Sequence, residues 1–424
     1  MEFLKNLIII IVGIHMNIIA QLPPLIDREI FFGDPEISGA QISPDGKYIS
    51  FLKPFNGVKN IWIKKFDEPF ENAKPVTADK NRPIMDYFWS VDSKYILFVQ
   101  DNGGDENYRV YRVNPSEEGN PVPFAKDLTP YENVRALILE VPKNYPDIIY
   151  IGLNDRNPQL HDVYKINLND GSRELVWQNE QNIIAWQFDI SSNLRLAIRL
   201  NQDGGTEILK IQDNQLIPIY SVNNEETVSP LEFTPDGNKF YMITNKGSDV
   251  DKAQLVLYDL NTDKVEFIEK DPLDEVDIAG AYFSKVTNEL AFTYYIGDKL
   301  RIYFRKENFK KDFEKLFKQF GDKQIGILST TLDENIFLIS VSSDVDQGSV
   351  YVFNRKTGDL KFLYKSNPKL PSEYLAEMKP VRYKARDGLV IPSYLTLPKG
   401  VEHKNLPTVL LVHRGPWARD IWGI

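Results

Sequence analysis

Residues 43–52 read Ser-Pro-Asp-Gly-Lys-Tyr-Ile-Ser-Phe-Leu. The first five are turn chemistry: proline presets its φ, aspartate bonds the nearby backbone, and glycine tolerates what other residues resist. Tyr48 to Leu52 then reads as a strand, and Asn60-Ile61-Trp62-Ile63-Lys64 as a second one after a polar loop. Nothing in the turn itself carries chemistry. Its importance is that it repeats.

Six more copies of turn plus strand follow. Ser90-Val91-Asp92-Ser93-Lys94 leads into Tyr95 to Val99, and Asn144-Tyr145-Pro146-Asp147 into Ile148 to Leu153. Ser191-Ser192-Asn193 leads into Leu194 to Leu200, and Thr234-Pro235-Asp236-Gly237-Asn238 into Lys239 to Thr244. Ser284 to Asn288 leads into Glu289 to Tyr295, and Leu332-Asp333-Glu334-Asn335 into Ile336 to Val341. The markers are 43 to 54 residues apart. Most units carry a second strand, such as Asp162 to Ile166 or Gln254 to Tyr258, and hairpin turns such as Asn169-Asp170-Gly171.

Seven evenly spaced units of short strands predict an all-β fold, a seven-bladed β-propeller over 21–373. One small sheet cannot cover both of its faces, whereas radial packing buries each face on a neighbour. Even spacing argues against a row of β-sandwiches. Phe309 to Phe320, FKKDFEKLFKQF, has helical spacing and is expected as an insertion in the sixth unit. Pro23 to Gly33 is expected to hold one short helix stopped by Gly33.

Composition narrows the function. The chain of 424 residues has 50 basic and 60 acidic side chains, a net −10, with no Lys/Arg block, so a nucleic-acid partner is not expected. Aromatic residues at 12% suit sheets. There is no cysteine, which rules out disulfides, a cysteine nucleophile and thiolate metal sites. No cofactor and no metal is called for. Residues 1–20 read as a secretory signal: Lys5, the apolar run Leu7 to Ile14, then Ile18-Ile19-Ala20. The run is shorter than the roughly 20 residues of a membrane span. A periplasmic or secreted protein, free of the membrane after cleavage, is expected.

Past Pro371 the pattern changes. Lys379 to Lys384 and Val390 to Thr396 flank Arg386-Asp387-Gly388, an expected hairpin. Thr408-Val409-Leu410-Leu411-Val412 then reads as a buried parallel strand, followed by the loop His413-Arg414-Gly415-Pro416-Trp417. Hairpin, loop, buried strand and glycine loop is how an α/β-hydrolase sheet opens. With the propeller and the Ser-Pro-Asp-Gly turns, this stretch resembles the prolyl oligopeptidase family of serine peptidases, in its acylaminoacyl-peptidase and dipeptidyl-peptidase-like secreted branch. The family typically reads His-Gly-Gly-Pro at 413–416.

The resemblance implies a propeller that caps a hydrolase domain and admits only short peptides. It implies that Gly415 offers a backbone N–H to the developing oxyanion, while His413 packs beneath the loop. It departs from the family at Arg414, where a glycine is usual. It also departs in lacking any Gly-x-Ser-x-Gly elbow, and none of His15, His161, His403 and His413 lies in the context of a triad base. The expectation is therefore the propeller part of a peptidase, residues 374–424 being an incomplete start of the hydrolase domain and the chain inactive alone. A non-catalytic periplasmic propeller that binds a peptide or protein partner is the rival.

Two polar loops are candidate substrate contacts. Asp101-Asn102-Gly103-Gly104-Asp105-Glu106-Asn107 lacks EF-hand spacing and reads first as a solvated loop; Glu106, or Asp105, is a candidate receptor for a substrate amino terminus, as paired acids are in dipeptidyl-peptidase relatives. Arg156, in Asn154-Asp155-Arg156-Asn157, is a candidate for a substrate carboxylate, with a loop salt bridge as its plainer role. His161 reads as a hydrogen-bonded loop residue, His403 as exposed, and Trp417 and Trp422 as core or domain-interface residues of a complete protein. Oligomeric state is not legible.

Overall fold

The computed structural model describes residues 22–413, 415 and 418–423. Residues 1–20 and Arg414, Pro416 and Trp417 therefore lie outside the described residues. The chain divides into two compact units, a propeller over 34–343 and 347–368, and a smaller unit holding the rest.

The propeller has seven sheets, each built from consecutive strands: 38–75, 87–127, 136–177, 183–221, 228–269, 278–304 and 324–365, blades 1 to 7. Strand order within each blade follows the sequence, so neighbours pair antiparallel from the inside outward. Outer strands are the most exposed; Val265–Glu269 and Arg173–Trp177 each begin with three exposed residues.

Burial follows the blade seams. Seven apolar clusters fill them, one per seam. Leu52, Ile61, Ile63, Trp89 and Phe98 join blades 1 and 2; Leu196, Ile208, Phe240 and Met242 join blades 4 and 5. The ring closes the same way, with Ile42, Ile49 and Phe51 of blade 1 against Leu338, Val350 and Val352 of blade 7. No strand is shared across that seam. Polar ties across it include Ile42 N–H donating to Ser329 Oγ at 3.1 Å and Leu332 N–H donating to the Pro44 carbonyl at 2.9 Å.

The repeated turns work as a small hydrogen-bond device. The Ser43 hydroxyl donates to Asp45 at 2.7 Å and accepts from the Tyr48 N–H at 2.9 Å. Ser90 with Asp92 and Tyr95 does the same in blade 2. In blade 7 the serine position falls on Thr331, one residue before the marker read from sequence. Gly46 takes φ +76°, which explains the glycine there.

Two expectations are corrected. The helix over Glu307–Phe320 is not added to a four-stranded blade. Blade 6 has three strands, and this helix takes the place of the fourth. Phe309, Phe313 and Leu316 fill the seam with Ile325, Phe337 and Phe353 of blade 7, work that an outer strand does elsewhere. The second correction concerns Thr408 to Val412. It forms no strand, and Val409, Leu410, Leu411 and Val412 are 91, 82, 78 and 66% exposed. Among the described residues no strand lies alongside to pair its backbone, and a lone strand is not stable.

The smaller unit holds the short helix Arg28–Phe32, capped by Asp27 and ended at Gly33 as expected. Its hairpin pairs Met378–Lys384 with Val390–Thr396 in unbroken register, also as expected. Trp422 is buried, and its indole N–H donates to the Met378 carbonyl at 2.8 Å.

Strand direction gives the propeller two distinct faces. One carries the turns between first and second strands. The other carries the loops between second and third strands, the links between blades, and both ends of the propeller chain, at 34–37 and 366–368. On the turn face Lys143 of blade 3 donates from Nζ to Asn288 Oδ1 of blade 6 at 2.8 Å. Blades 4 and 5 separate these two on one side and blades 7, 1 and 2 on the other, so this bond crosses the axial opening. Below it, burial pushes the Glu140 and Glu232 carboxyls above the usual range, and Glu232 raises Glu140 further. With no native cysteine, a Lys143→Cys, Asn288→Cys pair should be joined by a short bis-maleimide and identified by peptide mapping. Failure to cross-link would mean that the two residues do not meet over the axis. A direct disulfide is not expected, because a lysine's length separates the two backbones.

Candidate functional site

Both candidate loops lie on the loop face, in blades 2 and 3, away from the turn face that Lys143 straps. The acidic loop 101–107 is anchored from below. Asp101 is buried and paired with Arg82, whose Nε and Nη2 donate at 3.0 and 3.3 Å. Asp105 Oδ1 accepts the N–H groups of Asn102 and Asn107, both at 3.1 Å, which closes the loop on itself. One carboxylate oxygen of Asp105 is thus taken up by the backbone, as in the solvated-loop reading.

Glu106 follows in the left-handed region, at φ +59°. Its N–H donates to Asp101 Oδ2 at 3.3 Å. Its side chain is exposed, and its carboxylate makes no ion pair or hydrogen bond among the described residues. The loop therefore presents one free negative charge on a tethered backbone.

Arg156 stands at the tip of the blade 3 hairpin. Its Nε and Nη2 donate to the two oxygens of Asp162, each at 2.8 Å, and Nη2 also donates to the Asn179 carbonyl at 2.7 Å. The plainer of its two roles, a loop salt bridge, is the one present, and any substrate carboxylate has to share the guanidinium with Asp162. Asp162 is also the acceptor for the Asn179 N–H at 2.7 Å.

A third group on this face escaped the sequence reading. Arg135 lies in the link between blades 2 and 3. Its guanidinium carbon sits 5.5 Å from the Tyr108 ring centre. Its N–H donates to Asn154 Oδ1 at 2.7 Å. Beside it His161 is half-buried, and its Nε2 is buried without a partner. Burial, and then Arg135, hold this imidazole below the usual range, so it is neutral at pH 7. Only pairing in three dimensions separates Arg135 from its neighbours, and a single sequence does not carry that information.

In the smaller unit Gly415 takes φ +74°, with nothing within 4 Å of where a Cβ would stand. The backbone there is one that glycine adopts freely. His403 is exposed and lies 3.0 Å from the Pro398 carbonyl through Nε2, and His413 is exposed. Among the described residues no helix is long and apolar enough to cross a membrane.

Comparison with known proteins places this geometry in context. No family model matches. The chain is 34% identical over 414 residues to dipeptidyl aminopeptidase BIII of Pseudoxanthomonas mexicana, covering 94% of this chain and 58% of that protein. It is 26% identical over 445 residues to dipeptidyl peptidase family member 6 of Caenorhabditis elegans, covering 97% of this chain and 59% of that one. The chain thus spans less than two thirds of the length of both curated relatives. Among solved structures, a prolyl endopeptidase matches with TM-score 0.61 at 11% identity, over 91% of this chain and 58% of the other. A puromycin hydrolase matches with TM-score 0.59 at 13% identity, over 90% and 61%. Those two likenesses establish the fold, and the matched part is the propeller.

Proposed function

We propose that this chain, a homologue of the dipeptidyl aminopeptidases carrying the propeller part of the prolyl oligopeptidase family, is the substrate-selecting portion of a serine-type oligopeptidase. The observation that carries the reading is the 34% identity running through 94% of the chain. The propeller's part is to admit short peptides on its loop face, with the turn-face opening strapped by Lys143. The Ser, Asp and His of acyl transfer are supplied from outside these 424 residues, and without them the chain binds peptides but does not cut them. Gly415 contributes one oxyanion N–H, and Glu106 receives the substrate's amino terminus. Residues 1–20 direct export to the periplasm or beyond.

The direct test uses the purified 424-residue chain. It should give no stoichiometric labelling with a fluorophosphonate probe, because the sequence contains no Gly-x-Ser-x-Gly nucleophile. Clear labelling would place a nucleophile within these residues and overturn that part of the reading. Binding of short peptides without turnover is the positive outcome, read by calorimetry together with product analysis.

A further inference from the structure

The propeller contains eleven arginines, and their pairing separates one from the rest. Arg82, Arg109, Arg156, Arg173 and Arg199 each hold a carboxylate at 2.7–3.2 Å. Arg195, Arg301, Arg305 and Arg355 are each paired with a carboxylate as well. Arg112 lies over the Tyr95 ring and donates to the Asn169 carbonyl at 2.9 Å. Arg135 alone has neither a carboxylate nor a carbonyl partner for its guanidinium among the described residues. Among the described residues the guanidinium carbon stands 5.5 Å from the Tyr108 ring centre, with His161 beside it.

That exception sits in a prepared place. The Arg135 backbone is fixed by Asn154 Oδ1, and Asn154 is itself tied to the Pro158 carbonyl through Nδ2 at 3.0 Å. The next residue, Ala136, donates its N–H to the Tyr108 carbonyl at 2.8 Å, so the link and the Tyr108 backbone are held together. A guanidinium over an aromatic face keeps its edge donors free and loses little freedom when it binds. Such a fork matches a carboxylate in two parallel hydrogen bonds. Neutral His161 adds no competing charge, and its buried Nε2 is a second polar atom without a partner. Tyr108 also lies two residues from the free carboxylate of Glu106, so this seam offers groups of both signs.

We propose that Arg135 is the carboxylate receptor of the loop face: a bound peptide places a carboxylate, from its own carboxyl terminus or from an acidic side chain, on the Arg135 guanidinium. The role assigned to a substrate carboxylate thereby moves from Arg156, whose fork is on Asp162, to Arg135. The inference rests on the peptide-binding reading above and goes beyond it by naming the recognised group.

The test is calorimetry on the 424-residue chain with four probes: tetra-alanine, its carboxyl-terminal amide, and Ala-Glu-Ala-Ala and Ala-Gln-Ala-Ala, both amidated. One charged partner should be worth about tenfold in Kd. If the carboxyl terminus is the group, tetra-alanine binds about tenfold tighter than its amide. If an acidic side chain is the group, the Glu peptide exceeds the Gln peptide by that factor. Arg135→Gln removes the difference and leaves the neutral peptides unchanged, and Arg135→Lys restores part of it. An unchanged melting temperature in Arg135→Gln shows that the fold is intact. Peptides that bind with no preference for a carboxylate, or a preference that survives Arg135→Gln, would overturn the role of Arg135 and leave the peptide reading standing. Absence of binding by all four removes the peptide reading and this inference with it.

Discussion

Replacing Asp162 by alanine should lower the unfolding free energy by about 1–3 kcal/mol, the range for leaving a buried hydrogen-bonding group without its partner. Asp162 is 1% exposed. Its two oxygens take three charge-assisted bonds, two from Arg156 and one from the Asn179 N–H. The Asn179 side chain carries the tie onward: its Nδ2 donates to the Ile183 carbonyl at 2.8 Å and its Oδ1 accepts the Ile183 N–H at 3.0 Å. Ile183 opens blade 4, so the carboxylate organises the seam between blades 3 and 4. Alanine leaves the buried Asn179 N–H without its acceptor. The Arg156 side chain is 38% exposed and rehydrates, so no buried charge is stranded and the loss comes from the buried hydrogen bonds.

Controls follow from the same geometry. Asp162→Asn keeps one acceptor and should cost less. In the double variant Arg156→Ala, Asp162→Ala the losses should fall short of the sum of the singles, because the two residues share one interaction. Urea unfolding of the parent chain, the three single variants and the double variant measures all of this. A loss below about 1 kcal/mol for Asp162→Ala would mean that water replaces the carboxylate and that the seam does not depend on it.

These cases show why some of the architecture was legible and some was not. The middle two strands of most blades were readable because they lie between inner and outer neighbours and carry most of the apolar pattern. The innermost and outermost strands were not, because one lines the axis and the other meets solvent. Gln215–Ser221 and Val265–Glu269 are accordingly broken by exposed positions. The helix Glu307–Phe320 was visible from its spacing, but not its office as the fourth element of blade 6. That depends on Phe337 and Phe353 being opposite it, far along the chain. The site divides the same way. Glu106 and Arg156 stood out locally by composition, yet Arg156 is committed to Asp162. Arg135 has nothing distinctive in its sequence surroundings, and its lack of a carboxylate is purely a fact of tertiary arrangement.

The apolar stretch Thr408 to Val412 should make the 424-residue chain self-associate, and breaking that stretch should reverse it. Five consecutive residues with high strand propensity and no charge are the composition of an aggregation segment. Here Val409 and Leu410 are more than 80% exposed, with Leu411 and Val412 above 60%. A contiguous patch of this kind on a soluble protein calls for a cover. The backbone adds to the drive, since no regular pairing occupies 408–412 and a second copy supplies a matching edge. Val409→Asp with Leu411→Lys puts opposite charges into the run and removes most of its apolar surface. Sedimentation at rising concentration should show the parent chain passing to larger species while the double variant stays monomeric. The propeller's melting temperature should be the same in both, because residues 408–412 belong to the other unit. Two proteins that associate alike would show that the contact lies elsewhere, with the exposed outer-strand residues Leu175, Phe267 and Phe362 the next surface to test.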